Sequence, residues 1–132
     1  MSIVRADVRV EGVKGAAEGT VLVDTGSAMT LVDREVGSRI GVKLTGRVVK
    51  LTVADGHEVK GELAIAERVI VDEEELPGAH IVLIAFPDEL RRRLRELGLS
   101  TWCILGLTTL EILGLTPDVT RGKLKKTGIL LV

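Results

Sequence analysis

Along most of this chain the apolar residues come in short runs or in alternation, the patterning of β-strands separated by glycine-containing turns. The stretch "SIVRADVRVEG" sets Ile3, Arg5 and Asp7 against Val4, Val8 and Val10 in imperfect alternation and stops at Gly12. "GTVLVD" and "MTLVD" read as two strands flanking a turn at Asp24. "GRVVKLTVADGHEVKGELAIAERVIV" alternates from Val49 to Val59 around Asp55-Gly56, a dipeptide strongly favoured in two-residue hairpins. "AHIVLIAF" is apolar nearly throughout and reads as a buried strand.

Three segments follow a helical period instead. "DREVGSRIG" predicts a short helix with Asp33 as N-cap and Gly41 as its stop. "FPDELRRRLRELGLS" places Pro87 in a first turn, sets Leu90, Leu94 and Leu97 on one core-facing stripe, and ends at Gly98. "TTLEILG" predicts a third short helix after Gly106. The tail "LTPDVTRGKLKKTGILLV" reads as a hairpin turning at Thr120-Arg121-Gly122. A weak internal echo links "VLVDTGSAMTLVDREVGSRIGV" to "WCILGLTTLEILGLTPDV": each runs from an apolar strand through a Gly-containing turn, then to a closing apolar-Gly pair. Only the first copy has an Asp before its glycine. With no linker or low-complexity tract, residues 1–132 read as a single domain, all-β with two or three short helices.

Composition narrows the class. At 132 residues, 45% hydrophobic and 28% charged, the chain is long enough for one real core and has a globular balance. Net charge is −1, which gives no electrostatic case for nucleic acid or an anionic membrane. No apolar run approaches the roughly 20 residues of a membrane span, and the alternating N-terminus lacks a signal-peptide core, so a cytoplasmic location is expected. The one cysteine, Cys103, excludes an intrachain disulfide, and its setting in "TWCILG" reads as a buried, inert thiol. Asn, Gln and Tyr are absent while Glu, Lys and Arg abound, a trend of hyperthermophile proteins, so a thermophilic source is expected.

The charge runs have plain readings. Arg91, Arg92, Arg93 and Arg95 share a helix with Glu89 and Glu96 and read as a solvated, ion-paired face. Glu73, Glu74 and Glu75 precede Pro77-Gly78 and read as an exposed acidic loop. His57 and His80 lack a third ligand at metal spacing, and neither a metal nor another cofactor is expected.

What remains is Asp24-Thr25-Gly26-Ser27, at the end of the apolar run Val21-Leu22-Val23. A carboxylate placed there is costly unless something pairs with it or uses it. The Asp-[Ser/Thr]-Gly triplet by itself arises by chance in roughly one chain in twenty of this length, and an ordinary turn would also explain it. Its context is more specific. "VLVDTGSAMTLV", then "VADGHEVKG", then "CILG" with "TTLEILGL", fall in the order and rough spacing of the retropepsin-like aspartic proteases. The chain resembles these single-domain, retroviral-type peptidases over most of its length, and their bacterial and archaeal cellular relatives in particular.

The resemblance implies a closed acid-protease barrel with one lobe per chain. It also implies a homodimeric endopeptidase in which a water is activated by two Asp24 carboxylates, one from each chain, acting on an extended peptide. Aspartic proteases hold two carboxylates so close that one keeps a proton, and the pair titrates as a unit. None of Asp7, Asp33, Asp55, Asp72, Asp88 or Asp118 stands in a second such motif, so the partner carboxylate has to come from a second copy about a two-fold axis. By the same resemblance Thr25 braces the two turns against each other. Gly26 lets the backbone approach substrate, and Ser27 offers its hydroxyl to an outer oxygen of Asp24. Ala54, Asp55, Gly56 and His57 form the tip of a substrate-covering flap. The helix from Pro87 to Gly98 and the long tail depart from the minimal viral pattern. The alternative reading is a non-catalytic module of the same fold that binds peptides or proteins in the same groove.

Overall fold

The computed structural model describes residues 3–52 and 56–128. Nine strands and three short helices follow one another as β1 (Arg5–Glu11), β2 (Ala16–Val23), β3 (Leu31–Asp33), α1 (Arg34–Ile40), β4 (Lys43–Thr52), β5 (Glu58–Val71), β6 (Glu74–Ile84), α2 (Asp88–Glu96), β7 (Cys103–Leu105), α3 (Leu107–Leu113), β8 (Leu115–Asp118) and β9 (Lys123–Lys126). The main sheet runs β1-β2-β7-β3-β6-β5-β4, and β5 also pairs with β1, so six strands close into a barrel with β4 hydrogen-bonded outside it. The all-β expectation with two or three short helices holds, three being present among the described residues, and the tail forms the expected hairpin, Leu115 pairing with Lys126 and Asp118 with Lys123.

Alternation explains the closure. On β1, Ala6, Val8 and Val10 are buried while Arg5, Asp7 and Arg9 are exposed, so one face of the strand builds the barrel interior. The C-terminal end of β6 buries both faces: Ile81 and Leu83 belong to the barrel core with Val21, Val32, Val69, Val71 and Leu105. Val82 and Ile84 instead join Phe86, Leu94, Leu99 and Ile104 in a second cluster outside it. That double burial is why the run from Ile81 to Ile84 has no polar position. The second cluster also gathers Leu22, Met29, Leu31, Val49, Leu51 and Val59, which are only partly buried.

Several local expectations need correction. Glu74 and Glu75 lie in β6 rather than in a loop, because the β5–β6 hairpin turns earlier, with Asp72 in the left-handed region (φ 53°) and Val71 already paired with Glu74. Asp33 stands at the N-cap of α1, yet its carboxylate makes no capping bond. It is buried and accepts hydrogen bonds from the Phe86 N–H and from Arg91, both at 3.0 Å, tying β3 to the start of α2. Arg91 is therefore turned inward, whereas Arg92 pairs with Glu96 on the solvated face. Of the leucine stripe, Leu94 is buried and Leu90 packs on the second cluster, while Leu97 is exposed at the C-cap. Gly41 ends α1 in the left-handed conformation, as expected (φ 78°).

Among the described residues, no helix is long and apolar enough to cross a membrane.

Candidate active site

The site follows from how three short strands are threaded. β2 and β3 are the two arms around the Asp24 turn, but they do not pair with each other, because β7 lies between them. β7 runs parallel to β2, with Leu22 opposite Ile104 and Val23 opposite Leu105, and antiparallel to β3, with Leu31 opposite Ile104. Residues 24–30 must therefore cross two interstrand spacings, roughly 9.6 Å, over the C-terminal end of β7. The crossing is close. A Cβ on Gly106 would lie 2.3 Å from both the carbonyl carbon and oxygen of Met29, so only glycine fits beneath it.

Hydrogen bonds hold the crossing to β7 and α3 along its length. The Asp24 N–H donates to the Leu105 carbonyl at 2.9 Å, and the Ser27 N–H donates to the Asp24 carbonyl at 3.1 Å. The Leu107 N–H donates to the Ser27 carbonyl at 2.8 Å, and the Thr108 N–H to the Ala28 carbonyl at 2.9 Å. Thr108 adds its hydroxyl to the same Ala28 oxygen at 2.6 Å. Behind the turn, Thr30 Oγ1 accepts from the Gly106 N–H at 3.0 Å and lies 2.7 Å from Thr109 Oγ1; both threonines are buried.

On this base the Asp24 carboxylate projects outward. Asp24, Thr25 and Gly26 are exposed, one step beyond the buried Val23. Asp24 Oδ1 accepts the Gly26 N–H at 2.9 Å, which fixes the side chain within its own turn. A Cβ on Gly26 would come within 3.1 Å of that oxygen, so the glycine clears room for the carboxylate itself.

A family model described as aspartyl protease matches residues 6–109, the span that carries the barrel, the Asp24 turn and the first three residues of α3. The chain belongs to the aspartyl protease family. Its activity class is accordingly that of a hydrolase, an aspartic-type peptidase. Among solved structures, it is similar to a retropepsin-like aspartic protease from Rickettsia conorii, at 16% identity and a TM-score of 0.45, over 84% of this chain and 82% of that one. No curated protein sequence matches it.

In this aspartyl protease the threading brings Asp24, Thr25, Gly26 and Ser27 into one turn, with one correction. The Ser27 hydroxyl donates to the Met29 carbonyl at 2.7 Å, so its single proton serves the turn rather than an outer oxygen of Asp24. Of the flap residues, Gly56 and His57 are exposed where β5 begins, beyond the Thr52–Glu58 pair, and Ala54 and Asp55 lie outside the described residues. The internal echo is visible as the parallel pairing of β2 with β7, each ending at one of the two facing turns.

Sequence reasoning missed Thr30, Gly106, Thr108 and Thr109 as parts of the site. The available signal was the echo itself: two strand–turn units of similar sequence pack against each other, so the second turn had to contribute. Cys103, beneath the site in β7, is fully buried, and burial pushes its thiol far above the ordinary range.

Proposed function

We propose that this chain is a homodimeric aspartic endopeptidase in which Asp24 of each copy supplies one carboxylate of the catalytic pair. The observation that carries the reading is the exposed Asp24 carboxylate, held through Oδ1 by the Gly26 N–H at 2.9 Å, in a chain of the aspartyl protease family with a single Asp-Thr-Gly. Two carboxylates brought together by a two-fold axis cannot both ionise. The ionised one takes a proton from a water that attacks the peptide carbonyl, and the protonated one donates its proton to the carbonyl oxygen. The proton taken from the water then passes to the leaving amine.

Two further features support the assignment. Thr25 and Gly26 are exposed beside Asp24, where a second copy of the turn would meet them. Leu22, Met29, Leu31, Val49, Leu51 and Val59 form a partly buried apolar wall that includes both arms of the Asp24 turn and the end of the β4–β5 hairpin nearest its turn. Such a wall suits apolar side chains of an extended peptide, whose alternate residues face one side.

A peptide-library cleavage assay across pH tests this. Wild-type protein is expected to cleave, and Asp24→Asn to lose at least about a thousandfold in kcat while keeping the dimer mass in sedimentation. Undiminished cleavage by the Asn variant, or a monomer that peptide does not convert to a dimer, would overturn it.

A further inference from the structure

The geometry points to Thr30 as a positioning residue for Asp24, acting through a single peptide group; this rests on Asp24 being the catalytic carboxylate. The group is the peptide between Leu105 and Gly106, directly beneath the 24–30 crossing. Its carbonyl accepts the Asp24 N–H at 2.9 Å, and its N–H donates to Thr30 Oγ1 at 3.0 Å. In a trans peptide the C=O and N–H leave one rigid plane in opposite directions. The tilt of that plane is thus set from one side by the Asp24 backbone and from the other by the Thr30 side chain.

The surroundings leave this plane few alternatives. Thr30 is 0% and Thr109 2% exposed, so the two hydroxyls, 2.7 Å apart, are shielded from solvent and orient each other. Met29 passes directly over Gly106, which blocks the peptide from moving toward the crossing. The Thr30 carbonyl also accepts the Val82 N–H at 3.0 Å, which anchors the residue to β6. A valine has the same branched shape, so what it changes here is the hydroxyl rather than the volume filled. What valine removes is the acceptor for the buried Gly106 N–H, together with the partner of the buried Thr109 hydroxyl. The peptide then gains by rotating to seek another partner, and the Leu105 carbonyl swings away from the Asp24 N–H. The carboxylate follows, because the Gly26 N–H binds Oδ1 into the same turn. In a dimer the two-fold axis applies this displacement to both carboxylates, and misplacement of reacting groups by a fraction of an ångström is costly in rate.

The test compares Thr30→Val, Thr30→Ser and Val69→Ala, the last removing buried volume from β5, three strands from β7 in the sheet. Cleavage by wild type and its loss in Asp24→Asn are measured first, so that failure of the protease reading is seen separately. Thr30→Val is expected to lower kcat about ten- to a hundredfold with KM changed less than about threefold. Thr30→Ser, which keeps the acceptor, is expected to return kcat to within about threefold of wild type. Val69→Ala is expected to lower Tm with kcat unchanged. Amide exchange followed by NMR gives a readout that needs no cleavage: the Asp24 N–H is expected to exchange at least about tenfold faster in Thr30→Val. An unchanged kcat, a loss that serine does not recover, or an Asp24 amide protected as in wild type would each overturn the proposal. If Thr30→Val does not fold, Thr30→Cys, whose thiol is a weak acceptor, takes its place with the same deciding outcomes.

Discussion

Asp24 is the first residue beyond the barrel core on β2, and that single step resolves the apparent cost of placing a carboxylate after Val21-Leu22-Val23. Val21 is fully buried and Val23 nearly so, while Asp24 is exposed and meets a donor in its own turn. Ser27, two residues past Thr25, spends its hydroxyl on the Met29 carbonyl. Ser27→Ala is therefore expected to reduce stability by about 1 kcal/mol in denaturant unfolding and to lower kcat less than about threefold. A much larger loss of activity would show that the hydroxyl serves the carboxylate after all. Cys103 offers a second check at this scale. With its thiol fully buried and held protonated, it is expected to react with a thiol reagent only at the rate of global unfolding, and to become reactive at once in denaturant. Of these residues, Asp24 was legible because its motif is local. Thr30 and Thr109 were not, because their meaning lies in a contact across 79 residues.

At the scale of elements, β7 decides the site. Three residues long, it separates β2 from β3 and forces the Asp24 turn to bridge over Gly106. Gly106→Ala is expected to cost at least about 3 kcal/mol, since the new methyl would meet Met29 backbone rather than a side chain able to move. Unfolding in denaturant measures it directly. α2 is held differently, through the buried Asp33 carboxylate and its bonds to Phe86 and Arg91. Asp33→Ala strands the Phe86 N–H and the Arg91 guanidinium at a part-buried site, and is expected to cost about 2–4 kcal/mol. Arg92→Ala, at an exposed pair of 4.0 Å, is expected to cost under about 0.5 kcal/mol. The contrast within one arginine run shows the limit of reading charge from sequence. Arg91 and Arg92 are neighbours in the chain, and only the approach of β3 turns the first of them inward. The acidic run failed for a similar reason: strand pairing with β5 absorbed Glu74 and Glu75, and local composition carries no trace of pairing.

At the scale of the molecule, one barrel supplies one Asp-Thr-Gly turn, so the proposed chemistry ties activity to protein concentration. Specific activity is expected to fall on dilution in step with the appearance of the monomer in sedimentation. Activity per chain that stays constant through dissociation would exclude a shared site. The outer surface of the barrel carries a linked set of ion pairs: Arg9 with Glu11 and Glu18, and Arg68 with Glu11 and Glu75. Together with the absence of Asn and Gln, these pairs lead to an expected Tm above about 65 °C by calorimetry. A cooperative melt at about 45–65 °C would count against a thermophilic origin.

The sequence by itself determined what depends on near neighbours. Alternation set the strands of the sheet, Thr120-Arg121-Gly122 marked a hairpin, Gly41 stopped a helix, and Asp24-Thr25-Gly26 marked the candidate chemistry. These features rest on backbone preference and side-chain period, which act over a few residues. Only the tertiary structure decided that β7 enters between the arms of the Asp24 turn, that Gly106 lies under Met29, and that Thr30 meets Thr109. Those contacts join segments more than 70 residues apart, and their energies come from burial and hydrogen bonds that exist only once the barrel has closed.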